Sequence, residues 1–246
     1  MILGVTALAG KISRSRATPS IVSTNLWVHY NIADNASYAG SGPRIYDVSG
    51  NGNTRLNFIG SPTYNTSGSI PSIQINAPNG DYLESLDSLG ISGSNSRSFE
   101  VWAYVSQTDA YTNILGYGAG ANGTMMDTLV SNNDGYYRAE GHYYGFGNSS
   151  TLPSSTTINN GAWNQIVHTY DGARTFIYVN GVQQGSGYTT TLNTTNNKLR
   201  VGLGYYAAID IFTGRIGNVK VYKDYALSGA EALQNYNALK TSYGLS

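Results

Sequence analysis

From Asn25 onward, polar and apolar residues alternate in short blocks set apart by glycine, asparagine, aspartate and serine. This is the pattern of an antiparallel β-sandwich. Residues 26–30 (Leu-Trp-Val-His-Tyr) read as a first strand, closed by turn-forming residues at 31–42. Residues 98–105 carry large side chains on both faces. Glu100 shares one face with Trp102 and Tyr104, while Phe99 and Val101 point the other way. An acid alone among aromatic residues is expected to bond a cross-strand partner. Strands follow at 113–117, 128–131 and 136–144, each bounded by Gly or Asn. Residues 165–170 and 175–179 form a hairpin around Asp171-Gly172, and Asn180-Gly181 is a second turn; these dipeptides supply the positive φ angles that tight turns require. Residues 199–203 and 216–222 complete the strands. One helix is predicted: Ser228 is its N-cap, Glu231 closes a capping box, and Leu233, Tyr236, Asn237 and Lys240 follow at helical spacing until Gly244.

The chain has 246 residues, a size that one sandwich fills, and no repeat or interdomain linker divides it. Residues 25–246 are therefore one domain and residues 1–24 an N-terminal arm. The arm has a short apolar start (Ile2, Leu3, Val5, Leu8) followed by Lys11, Arg14 and Arg16. That order is the reverse of a secretory leader. The first 33 residues hold three bases and no acid, which leaves eleven bases against fourteen acids in the rest. Overall charge is balanced and no long basic run occurs, which argues against a nucleic-acid partner, because affinity for nucleic acid comes largely from neutralising phosphates. No apolar stretch approaches the roughly 20 residues of a membrane span. With no cysteine there is no disulfide framework, thiolate metal site or Cys nucleophile.

Three groups of segments resemble the concanavalin A-like jelly roll in its laminin G-like form. The first is Asp47-Val48-Ser49-Gly50-Asn51-Gly52-Asn53 after a Trp-bearing strand. The second is Trp163-Asn164-Gln165-Ile166-Val167, Thr169-Tyr170-Asp171-Gly172 and Tyr178-Val179-Asn180-Gly181. The third is Phe212-Thr213-Gly214-Arg215-Ile216, Val219-Lys220-Val221-Tyr222 and Ala226-Leu227-Ser228 with its helix. The resemblance implies an all-β sandwich over roughly residues 25–243, with one short C-terminal helix. The ending, Gln234 to Lys240 through Tyr243-Gly244-Leu245, is similar to laminin G-like proteins of tailed phages, which implies a virion surface role as capsid decoration or tail appendage.

Candidate chemistries follow from the residue types. Glycan hydrolysis needs two carboxylates facing one bond. Along this chain the acids stand apart: Glu84, Glu100, Glu140 and Glu231 have no acid two or four residues away on a shared strand, so no enzyme is expected. Asp47 with Asn51 and Asn53 offers oxygens for Ca²⁺, an ion that the resemblance permits, though Asp and Asn also cap tight turns. His29, His142 and His168 lie in separate strands without metal-ligand spacing. The best functional signal is the paired tyrosines Tyr136, Tyr137, Tyr143, Tyr144, Tyr205 and Tyr206, together with Phe146, whose outward members suit a protein interface or a sugar-stacking platform. The leading expectation is a non-enzymatic, multi-copy virion protein docked on other virion proteins through its arm. The alternative is an adhesin for host surface polysaccharide.

Overall fold

The computed structural model describes residues 19–106, 111–121, 123–132, 138–143, 158, 160–205 and 212–246. The arm residues Ile2, Leu3, Val5, Leu8, Lys11, Arg14 and Arg16, and the tyrosines Tyr136, Tyr137, Tyr144 and Tyr206 with Phe146, lie outside the described residues.

The strands are β1 (Leu26–Asn31), β2 (Arg44–Ile45), β3 (Leu56–Ile59), β4 (Thr63–Asn65), β5 (Ser72–Ile75), β6 (Tyr82–Ser85), β7 (Arg97–Val105), β8 (Tyr111–Tyr117), β9 (Asp127–Ser131), β10 (Arg138–His142), β11 (Trp163–Tyr170), β12 (Arg174–Val179), β13 (Val182–Thr189), β14 (Leu199–Val201) and β15 (Gly214–Lys223). The helix α1 spans Gly229–Leu239. Among the described residues the strands form two antiparallel sheets. Sheet A runs β13-β12-β11-β7-β15-β5-β4, with β1 also on β15; sheet B runs β10-β9-β8-β14-β6-β3-β2. The expected sandwich and helix are present. Strands β2 to β6 and β13 were not expected. Most are two to four residues long and set among turn residues, and β13 (VQQGSGYT) has loop composition and is a strand because β12 pairs with it.

The inner faces of the two sheets make one core that includes Val28, Tyr30, Ile73, Phe99, Val101, Ile166, Val201 and Val221. Its hydrophobic burial, at roughly 25 cal/mol per Å², is the main stabilising contribution. A polar connection crosses it at β11. His168 on β11 bonds Thr128 Oγ1 of β9 through Nδ1 (2.8 Å) and the Tyr143 hydroxyl through Nε2. One of Tyr143's expected roles, an outward platform, is thereby corrected: its ring is buried and lies parallel to Tyr188, because the hydroxyl finds its partner inside.

The outer face of sheet A is covered as well. Trp102 lies flat against Tyr243 (4.2 Å between ring centres) and Tyr236 (5.9 Å), contacts worth about 1 kcal/mol each beyond their burial. Beside them Glu100 meets Lys220, its register partner on β15, at 2.7 Å with both side chains fully buried. Asn235 of α1 joins this pair. Its amide donates to Glu100 Oε2 (2.6 Å) and to the Tyr222 hydroxyl (2.8 Å), and its Oδ1 accepts from the Val22 N–H (2.7 Å). The Tyr222 hydroxyl in turn donates to the Val22 carbonyl at 3.1 Å. Val22, within the stretch expected to be the arm, is thus buried against the domain, while residues 19, 20, 23 and 24 around it are exposed. The capping box at Ser228 and Glu231 forms as expected. Of its residues Ala232 and Asn235 are buried, and Leu233 is 44% exposed. The helix rests on a charged sheet surface, and the buried carboxylate attracts an amide instead of a leucine.

Removing one member of this cluster leaves a buried charge or donor unpaired. Lys220→Met is expected to cost about 3–5 kcal/mol and Asn235→Ala about 2–3 kcal/mol in urea unfolding. The pair Glu100→Leu with Lys220→Met should recover most of the first loss; equal losses in single and double variants would contradict this account.

Burial, with the added charge of Arg97, pushes the His168 imidazole down to about 3, and burial beside Lys220 does the same for His29. The unfolded chain takes up these protons near pH 6.5, whereas the native state stays neutral until about pH 3. The unfolded state therefore binds more protons across that window, so stability falls as pH drops from 6.5 towards 3, by up to about 1.4 kcal/mol per pH unit for each histidine. Between pH 6.5 and 5, above the usual carboxylate range, His168→Gln should flatten the dependence of the urea midpoint on pH.

Candidate functional site

The outer face of sheet B is partly open along β2, β3, β6 and β14 and closed along β8 to β10, where Asn113, Asp127, Leu129 and Glu140 are buried. Residues directly opposed in an antiparallel sheet share a face, and the register aligns Arg44, Asn57, Glu84, Arg200 and Gly116 in one row across β2, β3, β6, β14 and β8. The neighbouring positions Ile45, Leu56, Leu83 and Val201 point into the core. In the row, Glu84 accepts from Arg200 Nε (3.2 Å) and Lys198 Nζ (3.3 Å). The Arg200 guanidinium lies over the Tyr205 ring at 4.1 Å and faces Tyr82 at 5.7 Å.

The placement of Tyr205 has a definite cause. Gly116 has no side chain, and a Cβ there would stand 2.7 Å from the Leu203 carbonyl and 2.8 Å from the Gly204 Cα. Residues 203–205 can therefore lie directly on β8. Asp127 fixes them, accepting the Tyr205 N–H at 2.7 Å and the Tyr117 N–H at 3.3 Å. Burial pushes the Tyr205 phenol up to about 12, with Glu84 and Asp127 adding to the effect and Arg200 opposing it. The hydroxyl stays protonated and donates to the Lys198 carbonyl at 3.0 Å. Next to this strap Asn113 is buried, and among the described residues its amide has no hydrogen-bond partner.

At the β2–β3 edge the row continues into a hollow of about 220 Å³ lined by Tyr46, Arg55, Leu86 and Asp87. Arg55 Nε donates to Asn57 at 3.3 Å and links the hollow to the row. Tyr46 is 50% exposed and Leu86 39%. Open aromatic faces beside fixed guanidinium, carboxylate and amide groups are suited to sugars, which present C–H faces and hydroxyl edges.

Sequence and fold together fix the family. The model of the concanavalin A-like lectin/glucanase superfamily matches residues 76–232. The chain belongs to this superfamily. Among solved structures, this superfamily member is similar to domain 4 of AbnA, a GH43 extracellular arabinanase from Geobacillus stearothermophilus, in complex with arabinotriose: 18% identity, 86% of this chain, 98% of that one, TM-score 0.65. It is also similar to the botulinum neurotoxin serotype D ligand-binding domain in complex with N-acetylneuraminic acid (14%, 91% and 55%, TM-score 0.59). A third likeness is to a Trypanosoma rangeli sialidase mutant displaying trans-sialidase activity (13%, 92% and 35%, TM-score 0.64). The chain spans about half of the neurotoxin domain and a third of the sialidase. At these identities the likeness is one of fold. No curated protein matches the chain in sequence.

Of the tyrosines singled out from the sequence, the described ones separate: Tyr205 stands on the open face and Tyr143 is in the core. Asp47, Asn51 and Asn53 do come together, as a self-braced turn. Asp47 accepts from the N–H groups of His29, Ser49 and Asn53 and from the Ser49 hydroxyl, which occupies its lone pairs. The Asn51 and Asn53 amides donate to the Trp27 carbonyl, so nitrogen faces oxygen where Ca²⁺ would need oxygen alone. Among the described residues no group of three or more His, Asp or Glu side chains is placed to hold a metal.

Strand pairing also revises the acids. Glu140 lies opposite Leu129 on β9, which places it one pair from Asp127 on the same face. Both are buried, Asp127 holding backbone N–H groups and Glu140 the Ser131 hydroxyl. Glu100, the lone acid of the aromatic strand, has its expected cross-strand partner in Lys220, on the far side of the sandwich under α1. Sequence reading missed Arg200, Glu84 and Tyr82; the alternations Lys198-Leu199-Arg200-Val201 and Tyr82-Leu83-Glu84-Ser85 were the available signal.

Proposed function

We propose that the chain is a non-catalytic carbohydrate-binding jelly roll that takes host polysaccharide on the open face of sheet B and is carried, in many copies, on the surface of a phage particle. The observation that carries the binding reading is the Arg200–Tyr205–Glu84 group, a charged and aromatic surface held by Asp127 and partly exposed to solvent. The chemistry is recognition: C–H faces of a sugar ring against Tyr82 and Tyr205, and hydroxyl edges against Arg200, Glu84 and Asn57. A non-enzymatic role accords with the tasks of the acids, since Asp127, Glu140 and Glu100 already serve structural hydrogen bonds.

The position of residue 22 favours the virion reading. Val22 is pinned to α1 on the outer face of sheet A, opposite the row on sheet B. An arm anchored to other virion proteins would thus leave the binding face turned outward.

Arg200→Ala and Tyr205→Ala should each weaken binding in a titration with the polysaccharide identified by glycan-array screening, by roughly tenfold or more. Their unfolding midpoints should stay within about 1 kcal/mol of the parent. Reducing ends should not accumulate over a day with that polysaccharide. Unchanged affinity in both variants would overturn the face assignment, and sustained release of reducing ends would overturn the non-catalytic one.

Deletion of residues 1–18, which spares Val22, should preserve folding and glycan binding but abolish incorporation into particles. A truncated chain that still decorates particles would remove the arm as anchor.

A further inference from the structure

A second hollow, of about 460 Å³, lies where β1 begins and β15 ends, and Trp27, Lys223, Asp224, Asn25, Asn51 and Ser23 line it. The turn at 47–53 separates it from the Tyr46 hollow: Asn51 faces this side, and Gly52 and Asn53 face the other. Its walls are set before any ligand arrives. Asn25 and Asp224 both hold left-handed backbone, at φ 53° and 55°, an arrangement that costs energy unless its surroundings impose it. Two hydrogen bonds impose it here, Lys223 N–H to the Asn25 carbonyl (3.1 Å) and the Asn25 amide to the Lys223 carbonyl (3.2 Å). Asn95 restrains the Asp224 carboxylate at 2.9 Å, and Asn51 is tied to the Leu26 carbonyl at 2.7 Å. A site fixed this way loses little freedom on binding.

The charge on its wall is incompletely matched. The Lys223 ammonium sits 4.3 Å from the centre of the Trp27 ring, in a half-buried side chain. Among the described residues it has neither an ion-pair partner nor a hydrogen-bond acceptor. The indole face compensates part of the lost hydration, yet an ammonium carries three donors, and an anionic oxygen is the acceptor that satisfies them best. Around it the amide oxygens of Asn25 and Asn51 and the Asp224 carboxylate are acceptors, and Ser23 adds a hydroxyl. That set suits a molecule with one negative group and several hydroxyl donors.

We propose that this hollow binds an acidic sugar unit, its carboxylate or sulfate on Lys223 and its ring hydroxyls on Asn25, Asn51 and Asp224. The site lies apart from the sheet-B row, so it would make the chain bivalent for acidic polysaccharide.

The test is calorimetric titration of the full chain with three probes: a galacturonate tetramer, a sulfated galactan tetramer and a neutral galactan tetramer. At least one acidic probe should bind saturably, more weakly as ionic strength rises from about 50 to about 300 mM. Lys223→Met keeps the stem over Trp27 and should lower that affinity roughly tenfold, whereas Lys223→Arg should retain most of it. Arg200→Ala should leave the Lys223-dependent component intact, which separates this site from the sheet-B reading. Which acidic probe responds tells carboxylate from sulfate. The proposal falls if neither acidic probe binds, if the neutral tetramer binds as well as the acidic ones, or if Lys223→Met binds like the parent.

Discussion

The ion pair between Glu100 and Lys220 is the constraint around which one side of the molecule is arranged. Two fully buried charges lie opposite each other on adjacent strands, where desolvation would cost several kcal/mol per ion without compensation. Their attraction offsets part of that cost. The remainder requires that the second carboxylate oxygen be hydrogen-bonded, and Asn235 does this. Because Asn235 belongs to α1, the helix is located by a polar contact, and its apolar neighbours Ala232, Tyr236 and Leu239 settle on Val22, Trp102 and Tyr178 accordingly. The same amide holds the backbone of Val22, so both ends of the described chain meet at one side-chain group.

This arrangement gives the two sheets different outer surfaces. Sheet A is capped by a helix, a stacked Trp102 and the segment at 19–24. Sheet B carries a row of charged and amide side chains from Arg44 to Arg200, with Tyr82 and Tyr205 at the guanidinium. The covered face and the charged row therefore lie on opposite sides of one sandwich. The strap at 203–205 shows how little sequence this needs: a missing side chain at Gly116 and a carboxylate at Asp127 bring Tyr205 onto Arg200.

Much of the fold was legible in the chain because its signals are local. Alternation in β7, the Asp171-Gly172 and Asn180-Gly181 turns and the Ser228–Glu231 capping box act within a few residues, and each occurs as read. Strands of two to four residues such as β2 and β4 carry too few positions to show a period; they exist because a neighbour supplies their hydrogen bonds. The buried position of Asn235 was not legible for a related reason: its partners, Glu100 and Val22, are remote in sequence.

The site divides along the same line. Residue types alone singled out tyrosines as candidates, and for residues 47–53 they left a Ca²⁺ site and a capped turn as alternatives. Whether a given tyrosine faces water or the core was decided by partners remote in sequence: His168 draws Tyr143 inward, whereas Asp127 and Arg200 hold Tyr205 on the surface. By itself the sequence determined the fold class, the turns, the capped helix and the absence of thiol chemistry. Only the tertiary structure decided which polar residues share a face, because a row such as Arg44–Asn57–Glu84–Arg200 is written across four strands and becomes a surface only when backbone hydrogen bonds set their register.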